Sequence, residues 1–131
     1  MKTVFTSKAP TVVGPYSQAI VSGGFVFCSG QIGINPISGT IEAADIEGQT
    51  EQVISNLKAV LEEAGSSLSD VVQTQCFLSD LSNYAKFNEV YAKYLGDSKP
   101  ARYTVGVVSL PLNALVEIAA TAEIDIAASK V

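Results

Sequence analysis

The chain has 131 residues, 47% of them hydrophobic and 16% charged, with a formal net charge of −5, so residues 1–131 are long enough to form a single domain with its own hydrophobic core. The acidic balance disfavours nucleic acid as a partner, because phosphate binding depends on clusters of lysine and arginine. The absence of histidine excludes histidine triads, histidine general bases and histidine metal sites.

The first half of the chain predicts short strands followed by a helix. Asp45 is suited to the N-cap of that helix, apolar residues recur at helical spacing from 46 to 64, and Gly65 fits the position just after its end. A turn is predicted at 35–39. The β-prone runs in this half predict strands at residues 3–6, 19–21, 25–29 and 31–34.

The second half predicts a strand, a helix and two further strands. Residues 71–78 have the composition of a strand, and a second helix is predicted at 82–95. Pro100 ends any continuation of that helix and introduces a strand at 102–108. In the last strand, apolar and more polar residues alternate from 116 to 126. The face predicted for the second helix carries Tyr84, Phe87, Tyr91, Tyr94 and Leu95.

This order of elements predicts an α+β fold with its helices on one face of a sheet. The strand–helix–strand segment from 71 to 108 predicts a parallel pair joined by a right-handed crossover. The other face of the sheet then needs cover, for which a domain of this size has no third layer. A tight hairpin about Leu112-Asn113 would place Glu117 about 20 Å along the strand from Arg102. The sequence leaves the position of the last strand open.

No leader, membrane span or cofactor motif is expected. Polar residues follow Phe5, and no apolar run approaches the about 20 residues of a membrane helix. Cys28 and Cys76 lie in strand-like segments, where buried, reduced thiols of a cytoplasmic protein are expected. Two isolated cysteines do not make a zinc site, and no glycine-rich loop has nucleotide-binding spacing. We therefore expect neither a metal nor a cofactor.

Arg102 is the first candidate for a functional residue. It opens an apolar strand, and an unpaired guanidinium is costly to bury, so it needs an anionic partner. One possible partner is a ligand carboxylate, which a guanidinium grips through two parallel hydrogen bonds. The other is an acid of the protein itself, and the acids considered are Glu117, Glu123 and Asp125.

Glu117 is the second candidate, because it lies between two apolar residues of the last strand. Partial burial at such a position raises the pKa of a carboxyl group and suits it to proton transfer. Glu123 and Asp125 share its alternating face, however, and a solvated position on a two-faced strand is the commoner outcome.

Tyr16, Ser29, Gly30 and Asn88 are weaker candidates. Tyr16 follows a stiff Gly-Pro turn that presents its phenol, although most such tyrosines simply pack. The Ser29-Gly30 pair ends a strand, where it either lets the backbone approach a small ligand or forms a bulge. Asn88 is unfavourable in the middle of a helix, so it either faces solvent or makes a specific hydrogen bond.

Three segments of the chain form one pattern. They are Gly14-Pro15-Tyr16-Ser17-Gln18-Ala19, then Ser29-Gly30-Gln31-Ile32, and finally Pro100-Ala101-Arg102 followed by Leu110-Pro111 and Val116-Glu117-Ile118. In order and spacing, over nearly the whole chain, this pattern resembles the Rid family, the reactive intermediate deaminases of the RidA/YjgF group. The resemblance implies a chorismate-mutase-like fold, in which two helices pack on one face of a mixed six-stranded sheet. It also implies homotrimers whose sheets face inward, with ligand clefts between subunits.

The same resemblance implies an activity, the hydrolysis of 2-imino and 2-enamino acids such as 2-aminoacrylate to 2-oxo acids and ammonia, without a cofactor. By this resemblance Arg102 holds the substrate carboxylate and Glu117 holds the attacking water. Tyr16 and Ser29 assist by hydrogen bonding or proton transfer. The further substrate-binding residues that it implies are Gly30, Asn88 and Thr104.

The chain departs from the family pattern beside Arg102. Thr104 stands where several members carry cysteine, and Tyr103 where a small hydroxyl residue is common, which bears on substrate preference more than on reaction type. A non-catalytic regulatory trimer that binds a 2-oxo acid or an amino acid through Arg102 stays open as an alternative. RNA cleavage, an activity of some relatives, is disfavoured by the acidic composition, and a chaperone-like surface role has no positive support.

Overall fold

The computed structural model describes residues 1–124, so the alternation predicted at Asp125 and Ile126 lies outside the described residues. The strands are β1 (Lys2–Val4), β2 (Ala19–Ser22), β3 (Phe25–Gln31), β4 (Ile34–Asn35), β5 (Thr40–Ile41), β6 (Val71–Leu78), β7 (Ala101–Gly106) and β8 (Val116–Glu123). The helices are α1 (Ile46–Glu63) and α2 (Tyr84–Leu95), and short 3-10 turns lie at Leu68–Asp70, Leu81–Asn83 and Pro111–Asn113.

Six of these strands form one mixed sheet in the order β1-β2-β3-β8-β6-β7, while β4 and β5 form a separate ribbon. β6 and β7 are parallel, and the other neighbouring strands of the sheet are antiparallel. The connection between β6 and β7 contains α2, as the strand–helix–strand pattern predicts. The predicted α+β fold, with two helices and a mixed six-stranded sheet, is confirmed.

The last strand, β8, lies between β3 and β6. A tight hairpin with β7 about Leu112-Asn113 is thereby excluded, and Glu117 pairs with Phe77 of β6. Arg102 pairs with Thr74 of the same strand, on its other side. β6 therefore separates the two strands that carry the two charged candidates.

Both ends of α1 follow the sequence prediction. The Asp45 side chain accepts a hydrogen bond from the backbone N–H of Gly48 at 2.8 Å, which caps the first turn. At the other end Gly65 has φ = 87°, and the N–H of Ser66 donates to the carbonyl of Leu61 at 2.8 Å. A glycine adopts this left-handed conformation without strain, so the helix ends where the sequence predicts.

The hydrophobic core lies between the two helices and one face of the sheet. In β8 the residues of that face alternate with less buried ones, which confirms the predicted period of two. The aromatic face of α2 is only partly as predicted, because Phe87 and Tyr91 are buried whereas Tyr84 and Tyr94 are 40% and 43% exposed. Tyr94 departs because its hydroxyl donates to the Glu51 carboxylate on α1, so the ring covers the core edge while its polar end stays wet.

Several predicted boundaries shift by a few residues. The segment predicted as helix from residue 82 begins with a 3-10 turn, since Asp80 accepts from the N–H of Ser82 and caps that turn first. The strand predicted to reach residue 108 ends at Gly106, and Val108 is fully exposed. The strands predicted at 3–6 and 31–34 are observed as β1 and, in part, as the end of β3 and the start of β4.

The second face of the sheet is not covered by any element of residues 1–124, and it combines polar residues with large apolar ones. Directly paired residues of neighbouring strands share a face, and on this face they include large side chains that stay substantially exposed. We call this surface the open face, and its exposed large residues are Phe25, Phe27, Tyr103 and Val105.

Cys28 and Cys76 are buried and unpaired, as predicted. Burial raises the pKa of the Cys28 thiol to about 12, which keeps it neutral at physiological pH. Among the helices of residues 1–124, none has the length and apolar character needed to cross a lipid bilayer.

Candidate functional site

A bulge interrupts β3 at Ser29 and Gly30. The register between β3 and β8 shifts between Cys28 and Gln31, so the Ser29-Gly30 pair leaves the regular ladder, as one of the two predicted alternatives has it. The Ser29 hydroxyl donates to the carbonyl of Ser17 at 2.6 Å, and its N–H donates to the carbonyl of Gln18 at 2.9 Å. Ser29 therefore fastens the preceding loop to the sheet.

That loop presents Tyr16. Gly14 has φ = 135°, a conformation that side-chain-bearing residues rarely adopt, and its carbonyl accepts from the N–H of Tyr16 at 3.0 Å. The resulting tight turn leaves the Tyr16 side chain exposed. Its phenol is thus held at a defined place by backbone contacts, and it is available to a ligand.

Glu117 lies on the open face, directly beside the bulge. A Cβ added to Gly30 would lie 2.7 Å from Oε2 of Glu117, so the glycine makes room for the carboxylate. Partial burial raises the pKa of the Glu117 carboxyl group above its ordinary value of 4.5, because desolvation disfavours the charged form. The prediction of a partly desolvated glutamate is confirmed.

Tyr16, Gly30 and Glu117 line one cleft of about 390 Å³. Glu117 is the one charged side chain among the residues that line it, and the walls also include Leu112 of the turn before β8. A cleft with apolar walls and a few convergent polar groups is typical of small-molecule sites.

Arg102 lies on the helix-covered face, against α2. Its Nη1 donates to Oδ1 of Asn88 and its Nη2 to the hydroxyl of Tyr84, both at 2.8 Å. Its guanidinium carbon lies 4.7 Å from the centre of the Tyr91 ring, within the range of a cation–π contact. Asn88 therefore makes the specific hydrogen bond that was one of the two alternatives for its mid-helix position.

Within residues 1–124, no carboxylate forms an ion pair with Arg102. The ion pair found in this part of the chain joins Lys93 to Glu51 at 3.8 Å. Glu117 and Glu123 are thus excluded as its partners within the chain, while Asp125 lies outside the described residues. Two neutral acceptors and aromatic rings hold the guanidinium without neutralising its charge.

Thr104 follows Arg102 on the same side of β7, and its Oγ1 is buried without a hydrogen-bond partner in the described structure. A buried unpartnered hydroxyl is costly.

Sequence reasoning missed Tyr84 and Tyr91 as partners of Arg102. The signal was present, since positions 84, 88 and 91 have the i, i+4, i+7 spacing of one helix face.

The candidates thus form two groups that do not meet within one chain. Thr74, which pairs with Arg102, is buried under α2, whereas Phe77, which pairs with Glu117, packs against Tyr103 on the open face. With strands about 4.8 Å apart and about 3.3 Å per residue, the two Cα atoms are about 14 Å apart, and their side chains point to opposite faces.

A model of the family described as endoribonuclease L-PSP matches residues 6–124 of this chain. The chain belongs to the Rid (YjgF/endoribonuclease L-PSP) family. Among its Rid relatives, a RutC family protein of Pyrococcus abyssi is 54% identical over 92% of this chain and 95% of its own length. The chloroplastic Reactive Intermediate Deaminase A of Arabidopsis thaliana is 45% identical over 89% of this chain and 63% of its own length.

Solved Rid-family structures share the fold. The structure of Escherichia coli TdcF with bound serine is 36% identical in sequence, superposes with a TM-score of 0.90, and aligns over 95% of this chain and 100% of its own. The family resemblance inferred from the three sequence segments is confirmed.

Proposed function

We propose that this Rid protein is a cofactor-independent deaminase that hydrolyses reactive 2-imino and 2-enamino acids, such as 2-aminoacrylate, to 2-oxo acids and ammonia. The observation that carries the proposal is Arg102, a guanidinium that is held by neutral partners and has no carboxylate partner in residues 1–124. The name of the Arabidopsis relative supports the reaction class. Serine bound to TdcF supports a ligand that carries an α-carboxylate.

Arg102 is proposed to hold the substrate carboxylate. A guanidinium has five N–H donors, and the contacts to Asn88 and Tyr84 use two of them. The remaining donors are sufficient for a bidentate pair with a carboxylate. Asn88 and Tyr84 are then positioning residues, which fix the plane of the guanidinium.

Glu117 is proposed to hold and deprotonate the attacking water. The water oxygen adds to the C=N carbon of the protonated imine, one water proton passes to Glu117, and the C=N electron pair moves to nitrogen, which becomes the amine of a carbinolamine. Glu117 then returns its proton to that amine, the C–N bond breaks, and ammonia leaves with the bonding electron pair. The 2-oxo acid forms as the remaining hydroxyl gives its proton to the Glu117 carboxylate, which releases it to solvent. Tyr16 is proposed to hydrogen-bond the reacting nitrogen or oxygen, while Ser29 contributes by fixing the Tyr16 loop.

The complete site is proposed to form between subunits of a homotrimer. Arg102 and Glu117 lie on opposite faces of the sheet, so a cleft that contains both needs two chains. The exposed aromatic residues of the open face are suited to burial against neighbouring subunits. Cyclic symmetry then repeats the same contact at each boundary.

The test generates 2-aminoacrylate in situ with a serine dehydratase and follows pyruvate formation without protein, with the wild type and with Arg102→Ala. We expect acceleration by the wild type that the variant loses, while a matched variant of an exposed cation on α2, Lys93→Ala, retains it. Size-exclusion chromatography with light scattering checks that all three share one oligomeric state.

Absence of acceleration by the wild type, together with binding of pyruvate measured by calorimetry, would replace this proposal by a non-catalytic, ligand-binding regulatory trimer. The family description names an endoribonuclease, and RNA is the disfavoured substrate because the net charge of −5 opposes the binding of phosphate groups.

A further inference from the structure

The cleft beside Glu117 has walls that the proposed chemistry does not use. Apart from Tyr16, Gly30 and Glu117, most of its lining is aliphatic. Its volume of about 390 Å³ lies within the range of about 300–1,000 Å³ that is typical of small-molecule pockets. The aliphatic side chains that line it are Val12, Val13, Ile32, Ile34 and Leu112.

Leu112 stands out among these residues because of its backbone. It lies in the turn Pro111–Asn113 with φ = 56° and ψ = 27°, the left-handed region that glycine and asparagine adopt more easily than leucine. Its side chain is 67% exposed, so burial within the chain does not offset this strain. An apolar side chain is thus held, at a conformational cost, over the Glu117 cleft, and such strain is concentrated at functional sites.

The substituents of the reacting carbon indicate what these walls contact. In the proposed reaction this carbon carries the nitrogen, the carboxylate and the amino-acid side chain. The carboxylate is directed to Arg102 of another subunit, and the attacking water lies at Glu117. With the nitrogen directed to the Tyr16 hydroxyl, the side chain is the remaining group, and the aliphatic part of the cleft is the remaining space.

We infer that this cleft binds the substrate side chain, that 2-imino acids with branched or long apolar side chains are the preferred substrates, and that Leu112 is a specificity-determining residue. The inference rests on the proposed deaminase function. It is distinct from carboxylate binding, since it concerns a different part of the substrate and a different wall of the cleft.

The test compares two 2-imino acids that differ in side chain. A D-amino-acid oxidase with catalase generates them from D-alanine and D-leucine, and semicarbazide traps the imine that survives, so that lost semicarbazone measures catalysed hydrolysis. We expect the wild type to have the higher kcat/KM for the leucine-derived imine. Leu112→Asn and Leu112→Gly, which suit the left-handed backbone, should lower the ratio of the two kcat/KM values about tenfold, as expected for lost apolar contacts in a pocket.

Two further variants make the result specific. Leu112→Met preserves an apolar side chain of similar volume and should keep most of the wild-type ratio. Ile37→Asn changes an equally apolar residue that is 96% exposed and does not line the cleft, and it should leave the ratio unchanged.

Acceleration of both imines without a preference for the larger one, or an equal loss for both in the Leu112 variants, overturns this inference and leaves the deaminase proposal standing. An equal loss accompanied by dissociation in light scattering would assign Leu112 to the contact between subunits instead. If the wild type accelerates neither imine, the deaminase proposal and this inference both fail.

Discussion

Arg102 and Glu117 differ in how far the sequence predicts their surroundings. The position of Glu117 between Val116 and Ile118 predicts partial burial, because neighbours on a strand alternate between faces and the flanking residues enter the core. The partners of Arg102 depend instead on how β7 and α2 pack, which no local pattern specifies. That Arg102 has no acidic partner can be established only once the positions of carboxylates remote in the sequence are known, so the sequence leaves the partner of Arg102 open.

The raised pKa of Glu117 gives a prediction about pH. The proposed mechanism needs the carboxylate form, and burial shifts the titration of this group upward from 4.5. As the pH falls, activity should therefore begin to decrease at a pH above 4.5 and disappear once the group is protonated. Glu117→Gln should lower kcat at neutral pH by about 100-fold or more, as expected for loss of a general base.

The measurement is the pH profile of kcat for imine hydrolysis, after subtraction of the uncatalysed rate at each pH. The residual activity of Glu117→Gln should lack the acidic limb of the wild-type profile. An identical acidic limb in both proteins would show that another group controls the protonation step.

At the scale of elements, substitutions at the two residues of the β3 bulge should affect activity and stability differently. Gly30→Ala places a methyl group 2.7 Å from the end of a flexible carboxylate, so Glu117 moves aside at little cost to folding. We expect kcat/KM to fall by up to about 100-fold, which is what a misplacement of about 1 Å can cost, while the melting temperature changes little.

The neighbouring substitution Ser29→Ala should affect stability more than activity. It removes the hydrogen bond to the Ser17 carbonyl and should lower the free energy of unfolding by about 1 kcal/mol, with a smaller effect on activity through the Tyr16 loop. Thermal and urea unfolding, measured beside imine hydrolysis, check both. Equal losses of stability and activity in the two variants would contradict this division of roles.

Some features of the helices and strands can be predicted from the sequence, and others cannot. The ends of α1 are predicted because Asp45 and Gly65 act within one turn of the helix, and the two faces of β8 are predicted from its alternation. The insertion of β8 between β3 and β6 is not, because pairing between strands remote in the sequence leaves no local signal. The Ser29-Gly30 bulge is intermediate, since its residue types indicate an irregularity without stating which group it faces.

At the scale of the whole molecule, the separation of Arg102 and Glu117 by the sheet gives a prediction about mixed oligomers. Arg102→Ala and Glu117→Gln should each be inactive alone. When they are unfolded together in equal amounts and refolded, random assembly should restore about a quarter of the wild-type activity, because that fraction of subunit boundaries combines an intact arginine with an intact glutamate.

Imine hydrolysis by the refolded mixture, compared with each variant refolded separately, measures this restoration. Light scattering establishes that the mixture has the mass of the wild type. A mixture as inactive as its components would overturn the proposal that each site combines Arg102 of one subunit with Glu117 of a neighbouring subunit.

The placement of the charged groups on opposite faces has a genetic consequence. In the proposed homotrimer, a subunit lacking both Arg102 and Glu117 but still able to assemble should impair the boundary on each of its sides, and one such subunit should therefore inactivate two of the three sites. Its gene, expressed beside the normal one, should therefore act dominantly, and the cell would lose more activity than the proportion of faulty chains alone implies.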